Sequence, residues 1–435
     1  MTISDSKTVS LQTVGCRLNQ YETEKMAVDL YPYGFRRAAK DESADLYIIN
    51  TCTVTHRADS SSRYLISKAR RENPDSRVVV AGCYVDSEHE KVSSMEAVDL
   101  VIPNSDKSRI VEILSSHFPE LFTDAPIETC SSWEVAFETF NRAWLKVSDG
   151  CNQRCAFCIL PRVRGGLINR PVTEIVDDVN SLVGNGFCEI VLTGLHLGSY
   201  SDPDGRADVK TLAQLCKFLL RETSLTRIRL SSIEPQTVTD ELLNVCTDAG
   251  ERICRHIHIP LQSGSPNILK LMRRPYSLEQ YVKRAEAIRQ AIPGVTIGSD
   301  MIAGFPGETE EDFRLACAAV DSDLVDYLHV FSYSDRAQTV AAGLPDKVSP
   351  TAIKERCSTM IEISNRLRHG LHKRQINKVL AVISEHRKPG SADLFGIADN
   401  YVRVKLPASY SGGRQIVRVR ITAAYENFIE GQLLG

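Results

Sequence analysis

No stretch of this sequence approaches the roughly 18–20 unbroken apolar residues of a membrane span. The start, "MTISDSKTVSLQTVGC", lacks a basic region followed by a long apolar stretch and enters a strand-like run almost at once. The expectation is therefore a cytoplasmic protein with no secretory signal and no membrane partner. A charge excess is missing too: the formal net charge is −3, which by itself points to no polyanion. Repeats at solenoid periods and low-complexity tracts are absent. A disulfide framework is not expected, because the 13 cysteines are odd in number and the expected compartment is a reducing one.

What is present is a long chain of ordinary soluble composition, 43% hydrophobic and 25% charged. At 435 residues it exceeds a single core and should divide into two or three domains. Residues 1–118 alternate strands ("TVSLQTV", "ADLYIIN", "SRVVVAG", "VDLVIP") with helices near 20–31, 57–72 and 106–117, the last capped by Asn104 or Ser105. This predicts an open parallel α/β sheet. Residues 119–140 hold two prolines and no clean period, as a linker does. Residues 141–370 contain six further strand–helix units, which fit a partial (β/α)6 barrel rather than a complete one of eight. Residues 371–435 switch to apolar–basic alternation in "YVRVKL" and "QIVRVRITA", predicting a small antiparallel β-barrel. That last segment has ten Lys or Arg against five Asp or Glu, a net +5, leaving −8 on the rest. A basic module on an acidic body suits a polyanion; an ordinary solvated face is the alternative.

Cysteine spacing carries the chemistry. "SDGCNQRCAFCILPRVRGG" puts Cys151, Cys155 and Cys158 on one loop directly after a strand. Three convergent thiols with no fourth nearby would leave one iron of an iron–sulfur cluster with open coordination sites, and an open position marks a catalytic centre. Such an iron can chelate the amino and carboxylate groups of a methionine moiety. The alternative is a structural zinc site with a distant fourth ligand. The strand ends "VLTGLHLGSY", "LSSIEP", "PLQSGS", "GSDMIAGFPGE" and "HVFSYS", three of them with glycines that let backbone approach a ligand, would complete a cofactor cavity at the carboxyl edge. Cys16, Cys52 and Cys83 each end a predicted strand of the first sheet, so parallel strands would bring them to one edge. They form a second incomplete cluster site or are simply buried. Asn19 is placed to cap a helix beneath them. Cys130, Cys188, Cys216, Cys246, Cys254, Cys317 and Cys357 read as small buried hydrophobes.

The C-x3-C-x2-C spacing with Phe157 before the third Cys resembles the radical S-adenosylmethionine (SAM) superfamily. Two such trios followed by a basic barrel resemble its methylthiotransferase family over essentially the whole chain. The opening "TVGCRLNQYETE", with "LTGLHLGSY", "HIPLQSGS" and "MRRPY", looks like the branch acting on N6-threonylcarbamoyladenosine beside the tRNA anticodon. The resemblance implies two [4Fe–4S] clusters, on Cys16/Cys52/Cys83 and on Cys151/Cys155/Cys158, and two SAM molecules. On that resemblance one SAM would methylate a sulfur held at the first trio, and the other would be cleaved at the second trio to a 5′-deoxyadenosyl radical that removes hydrogen from C2 of the adenine.

It further implies SAM contacts from Phe157, Ser232, Glu234, Gln262, Ser263 and Asp300. Arg162 and Arg164 would meet substrate phosphate or carboxylate, and Arg403, Lys405, Arg418 and Arg420 would meet the tRNA backbone through a TRAM domain. For the SAM contacts the alternative is strand-end residues satisfying backbone groups. A sulfur donor and an electron donor such as flavodoxin or ferredoxin are implied partners. Ala337 and Gln338 depart from the Arg-Pro-Gly-Thr usual in the family. Competing readings are methylthiolation of isopentenyladenosine or of a ribosomal-protein aspartate, and a non-enzymatic iron–sulfur RNA-binding or redox-sensing protein.

Overall fold

Runs of β-branched residues separated by helices build sheets covered on both faces. The computed structural model, which describes residues 7–39, 41–122, 133–138, 140–205, 208–387 and 390–434, has such a sheet at its N-terminal end. Its parallel strands are β1 (Lys7–Thr13), β2 (Phe35–Arg37), β3 (Leu46–Thr51), β4 (Arg77–Gly82) and β5 (Leu100–Ile102), in the order β2-β1-β3-β4-β5. All six residues of β3 are buried, and the period of two sorts them. Ile48 joins Val9, Val79 and Leu114 on one face, while Tyr47 and Ile49 join Val78, Val80 and Ile66 on the other. The short edge strand β2 was not anticipated from the sequence; its three residues carry too little pattern.

Two expected helix caps are not made. The helix Arg17–Leu30 starts at Cys16 with no side-chain cap, because Asn19 is turned inward to bond backbone carbonyls. The segment 104–117 begins as a 3-10 turn, Asn104–Arg109, before the helix Ile110–His117. Asn104 and Ser105 therefore cap nothing, and Asn104 instead bonds Asp86 and the Val163 carbonyl. Of the expected linker, 123–132 and 139 lie outside the described residues. The described part is held: Trp133 packs on Tyr21 with ring centroids 5.3 Å apart, and Phe137 N–H donates to Glu24 at 2.7 Å.

Residues up to 138 together with 159–166 make one compact unit, and 139–158 with 167–435 make the other. The second unit opens with β6 (Ala143–Lys146) and a small antiparallel pair, β7 (Ser148–Asp149) and β8 (Ile168–Asn169). Next come β9 (Glu189–Thr193), β10 (Arg227–Leu230), β11 (His256–His258), β12 (Thr296–Ala303) and β13 (Tyr327–Ser332). The strands β6, β9 and β10 form one parallel sheet and β11, β12 and β13 another, joined by the parallel bridge Ile228–Ile253. Chain order is thus kept across all six, as an incomplete barrel requires.

The tail closes into a five-stranded barrel of β14 (Val379–Ser384), β15 (Leu394–Ala398), β16 (Arg403–Leu406), β17 (Ile416–Ala424) and β18 (Ile429–Leu433). It is not wholly antiparallel, since β16 and β18 run parallel. The strand β15 was also missed, because "LFGIA" lacks the apolar–basic alternation of its neighbours.

This barrel belongs to the same compact unit as the six strands and meets their N-terminal ends through buried charge. Glu189, the first residue of β9, takes Arg227 Nε at 2.7 Å and Arg229 Nε at 2.7 Å. The guanidiniums continue into the barrel, to the carbonyls of Ala381 at 3.0 Å and Ala398 at 2.9 Å. Burial alone would raise the Glu189 carboxyl; Arg229, Arg227 and Arg142 outweigh it and hold the group well below the usual carboxylate range. Glu189→Ala would strand two arginines that are each 1% exposed, so a loss of about 3–5 kcal/mol is expected in urea denaturation. A folded pKa below the unfolded value, near 4.5, means this contribution is complete above pH ~4.5 and fades as pH falls through the folded value. The wild-type advantage over Glu189→Gln should therefore shrink on acidification.

Candidate active site

Glycines at the tips of β1 and β4 turn the chain so that the next residue faces its neighbour. Gly15 and Gly82 both sit at φ +103°, where a side chain is strained. A Cβ on Gly15 would fall 2.5 Å from Cys52 Cβ, and one on Gly82 would fall 2.6 Å from the Thr51 carbonyl. Cys16 and Cys83, which follow these glycines, are thereby drawn toward Cys52 beyond β3. Asn19 ties the tips together, donating to the carbonyls of Val14 at 2.8 Å and Thr51 at 2.9 Å. Each of the three thiols lies within electrostatic reach of another: Cys83 acts on Cys16, and both act on Cys52. Burial pushes the Cys52 thiol up to about 12, with the Val54 N–H pulling the other way. The place is significant, because a 2-1-3-4-5 sheet reverses direction between β1 and β3, and ligands bind at the carboxyl side of that switch point.

The compact trio is held differently. The β7–β8 pair pins the two ends of the loop. Within it, Ala156 N–H donates to Met272 O at 2.9 Å and Ala341 N–H to Ala156 O at 2.8 Å, so the loop is laced to segments on both sides. Gln153 N–H points at Cys151 Sγ, 3.4 Å away. Arg274 donates to Cys155 Sγ at 3.0 Å, and its other nitrogens bond Glu234 and the Tyr276 hydroxyl. Burial raises the thiols of Cys151 and Cys155, and the positive Arg274 opposes it.

From there a polar line crosses the carboxyl ends of the strands. Glu234 feels Asp300, Asp300 stands 3.3 Å from His258 Nε2, and His258 Nδ1 is 2.9 Å from Ser232 Oγ. Among the described residues no three His, Cys, Asp or Glu side chains are close enough to share a single metal ion. A lone zinc needs every thiolate within ~2.3 Å of one point; thiolates on separate irons of a cluster stand further apart.

Residues 8–103 match the uncharacterized protein family UPF0004 and residues 145–319 match the radical SAM superfamily. The chain is 36% identical to the threonylcarbamoyladenosine tRNA methylthiotransferase MtaB of Bacillus subtilis, over 98% of this chain and 96% of that one. It is 34% identical to the enzyme of that name from Aquifex aeolicus, over 95% of this chain and 100% of that one. The chain belongs to the radical SAM methylthiotransferase family. Identity to the tRNA-2-methylthio-N(6)-dimethylallyladenosine synthase of Thermodesulfovibrio yellowstonii is 30%, over 98% of this chain and 99% of that one. Among solved structures, the radical SAM methyltransferase TsrM of Kitasatospora setae superposes with a TM-score of 0.55 at 15% identity, covering 75% of this chain and 73% of that one. That likeness concerns the fold alone.

As a radical SAM methylthiotransferase the chain employs SAM and a [4Fe–4S] cluster. Both trios fit such a group in their donor set, thiols whose protons a metal displaces. Gln262 and Ser263 lie at the end of the segment after β11, beside β12. Gln262, at φ +69°, extends the sheet by donating its N–H to Asp300 O at 2.8 Å. Ser263 Oγ accepts the Ser265 N–H at 3.2 Å. Phe157 rests half-buried against the cluster of Ala156, Ile268, Met272 and Phe305. Ala337 and Gln338 are exposed, a few residues before the Ala341 N–H that holds the cysteine loop.

Arg162 is exposed, but Arg164, expected to meet substrate, has a side chain only 2% exposed and committed inside the first unit. Its partners are Glu22, Asn19 and Cys83. Sequence reasoning missed Arg274, Glu22 and Lys107. Of these, Arg274 left a trace inside "MRRPY" and Glu22 inside "TVGCRLNQYETE", while Lys107 left none. The remaining cysteines divide. Cys216, Cys246 and Cys254 are buried as expected, whereas Cys188, Cys317 and Cys357 are only partly so, and Cys130 lies outside the described residues.

Arg403, Lys405, Arg418 and Arg420 project outward from β16 and β17, which are separated in the barrel by β18. Arg418 is already paired with Glu251, and Lys405 with Asp393 at 2.9 Å. No helix among the described residues is long and apolar enough to cross a membrane.

Proposed function

We propose that this chain converts N6-threonylcarbamoyladenosine, next to the anticodon in tRNA, to its 2-methylthio derivative. The observation that carries the reading is full-length identity of 36% and 34% to enzymes named for that nucleoside, against 30% to one named for the dimethylallyl nucleoside. Cys151, Cys155 and Cys158 hold the cluster at which SAM is cleaved, and Cys16, Cys52 and Cys83 hold a second one beside the sulfur to be transferred. When bound, these groups supply reductive cleavage of a sulfonium and a site for exogenous sulfur.

The chain's own residues position and enclose. Arg274 and Glu234 lock one another beside Cys155, and Ser232, His258 and Asp300 present polar groups to a SAM molecule. Phe157 offers a ring for the adenine. Arg162 remains available for substrate phosphate. Arg420, with Arg403, Lys405 and Arg418 once freed from their acidic partners Glu385, Asp393 and Glu251, follows the tRNA backbone. The target base is splayed from the loop stack to reach the cavity. A sulfur donor and a one-electron donor such as flavodoxin or ferredoxin complete the cycle, and with tRNA as substrate the working compartment is the cytoplasm.

Nucleoside mass spectrometry of a strain lacking the protein tests this. The methylthiolated threonylcarbamoyl nucleoside should vanish while its unthiolated precursor stays. Disappearance of the isopentenyl derivative instead would transfer the protein to the other tRNA branch.

A further inference from the structure

Cys83 differs from its two companions. Its sulfur receives Arg164 Nε at 3.2 Å and Asn104 Nδ2 at 3.4 Å. The guanidinium is aimed from behind: Glu22 takes Nη1 at 2.5 Å and Asn19 takes Nη2. Glu22 is itself fixed by Lys107, 2.7 Å away, and Glu22 and Lys107 are each 7% exposed. Asn104 also donates to the Val163 carbonyl at 2.9 Å, anchoring the residue before Arg164. Ile159 and Val163 pack against Cys83 in a small apolar cluster. The ion pair is therefore buried and rigid, and its distances survive only with Arg at this position, since Lys lacks a fork that can bond sulfur and carboxylate together.

Hydrogen bonds and positive charge beside a ligating sulfur favour the reduced, more negative form of an iron–sulfur cluster. We propose that Arg164 is a positioning residue that raises the reduction potential of the cluster held by Cys16, Cys52 and Cys83, acting through its N–H···S bond to Cys83. The inference rests on the reading that this trio carries a cluster. One electron enters per reduction, and no bond in the protein breaks.

The experiment uses the full chain with Cys151, Cys155 and Cys158 changed to Ala, reconstituted anaerobically with iron and sulfide, so that any cluster present is the one at the first trio. Iron content and the electron paramagnetic resonance spectrum of the dithionite-reduced protein establish that it is there. If neither appears, the reading of the trio fails, separately from the role of Arg164. With the cluster present, mediated redox titration of Arg164→Gln is expected to give unchanged iron content and a more negative midpoint. Arg164→Lys, which keeps the charge beside Glu22 but loses the fork, should shift the same way by less. An unchanged midpoint in both variants overturns the proposal. So does failure of both to fold, which would make Arg164 a folding residue only.

Discussion

Changing any one of Cys151, Cys155 and Cys158 to Ala should reduce both 5′-deoxyadenosine formation and tRNA methylthiolation to background. The loop offers three thiols and no convenient substitute. Cys188 lies at the amino end of β9, while the loop follows the carboxyl end of β6, and its Sγ turns to the Gly186 carbonyl. With one thiol removed, the remaining two leave the cluster under-held. The backbone bonds of Ala156 to Met272 and Ala341 would persist, so the chain should stay folded with an unchanged far-UV spectrum. Iron after anaerobic reconstitution should fall from about eight to about four per chain, one four-iron cluster of two. Retained SAM cleavage in a folded Cys155→Ala chain would remove this loop from the chemistry.

Changing Cys83 to Ala should separate the two halves of the reaction. Iron again falls to about four per chain. SAM cleavage by the Cys151, Cys155 and Cys158 loop should continue at a rate within a few-fold of wild type, yet no methylthio nucleoside should form. Cys83 is 3% exposed, and removing its sulfur costs little packing compared with loss of a large core side chain. Gly82 and Asn19 would still hold the strand tips, so the loss would be chemical rather than structural. If Cys83→Ala makes the methylthiolated nucleoside at the wild-type rate, the first trio has no part in sulfur transfer, whatever it binds.

The two trios were legible to different degrees. The compact one needs only local sequence, since its outer members lie seven positions apart and a loop after a strand brings them together. The dispersed one required knowing that three strand ends share an edge. Apolar runs ending in "TVGC", "IINTC" and "VVVAGC" supported that, because parallel strands point the same way. What could not be read was how the tips are closed. Asn19, coming after Cys16, looked placed to cap a helix beneath the site. It bonds Val14 and Thr51 instead, since those carbonyls would otherwise be orphaned where the strands splay. Arg164 looked like a substrate contact for being near the cysteine loop in sequence. Contact with Glu22, 142 positions earlier, assigned it to the other trio.

The identity, number and spacing of the thiols, the order of strands and helices, and the basic alternation of the tail are properties of the linear chain, and periodicity expresses them without long-range information. Which guanidinium stands beside which sulfur, and that Glu189 and its arginines hold the small barrel to the strand ends, depend on meetings between residues far apart in sequence. Such meetings are decided by the need to pair every buried charge, a constraint that exists only once the chain has folded.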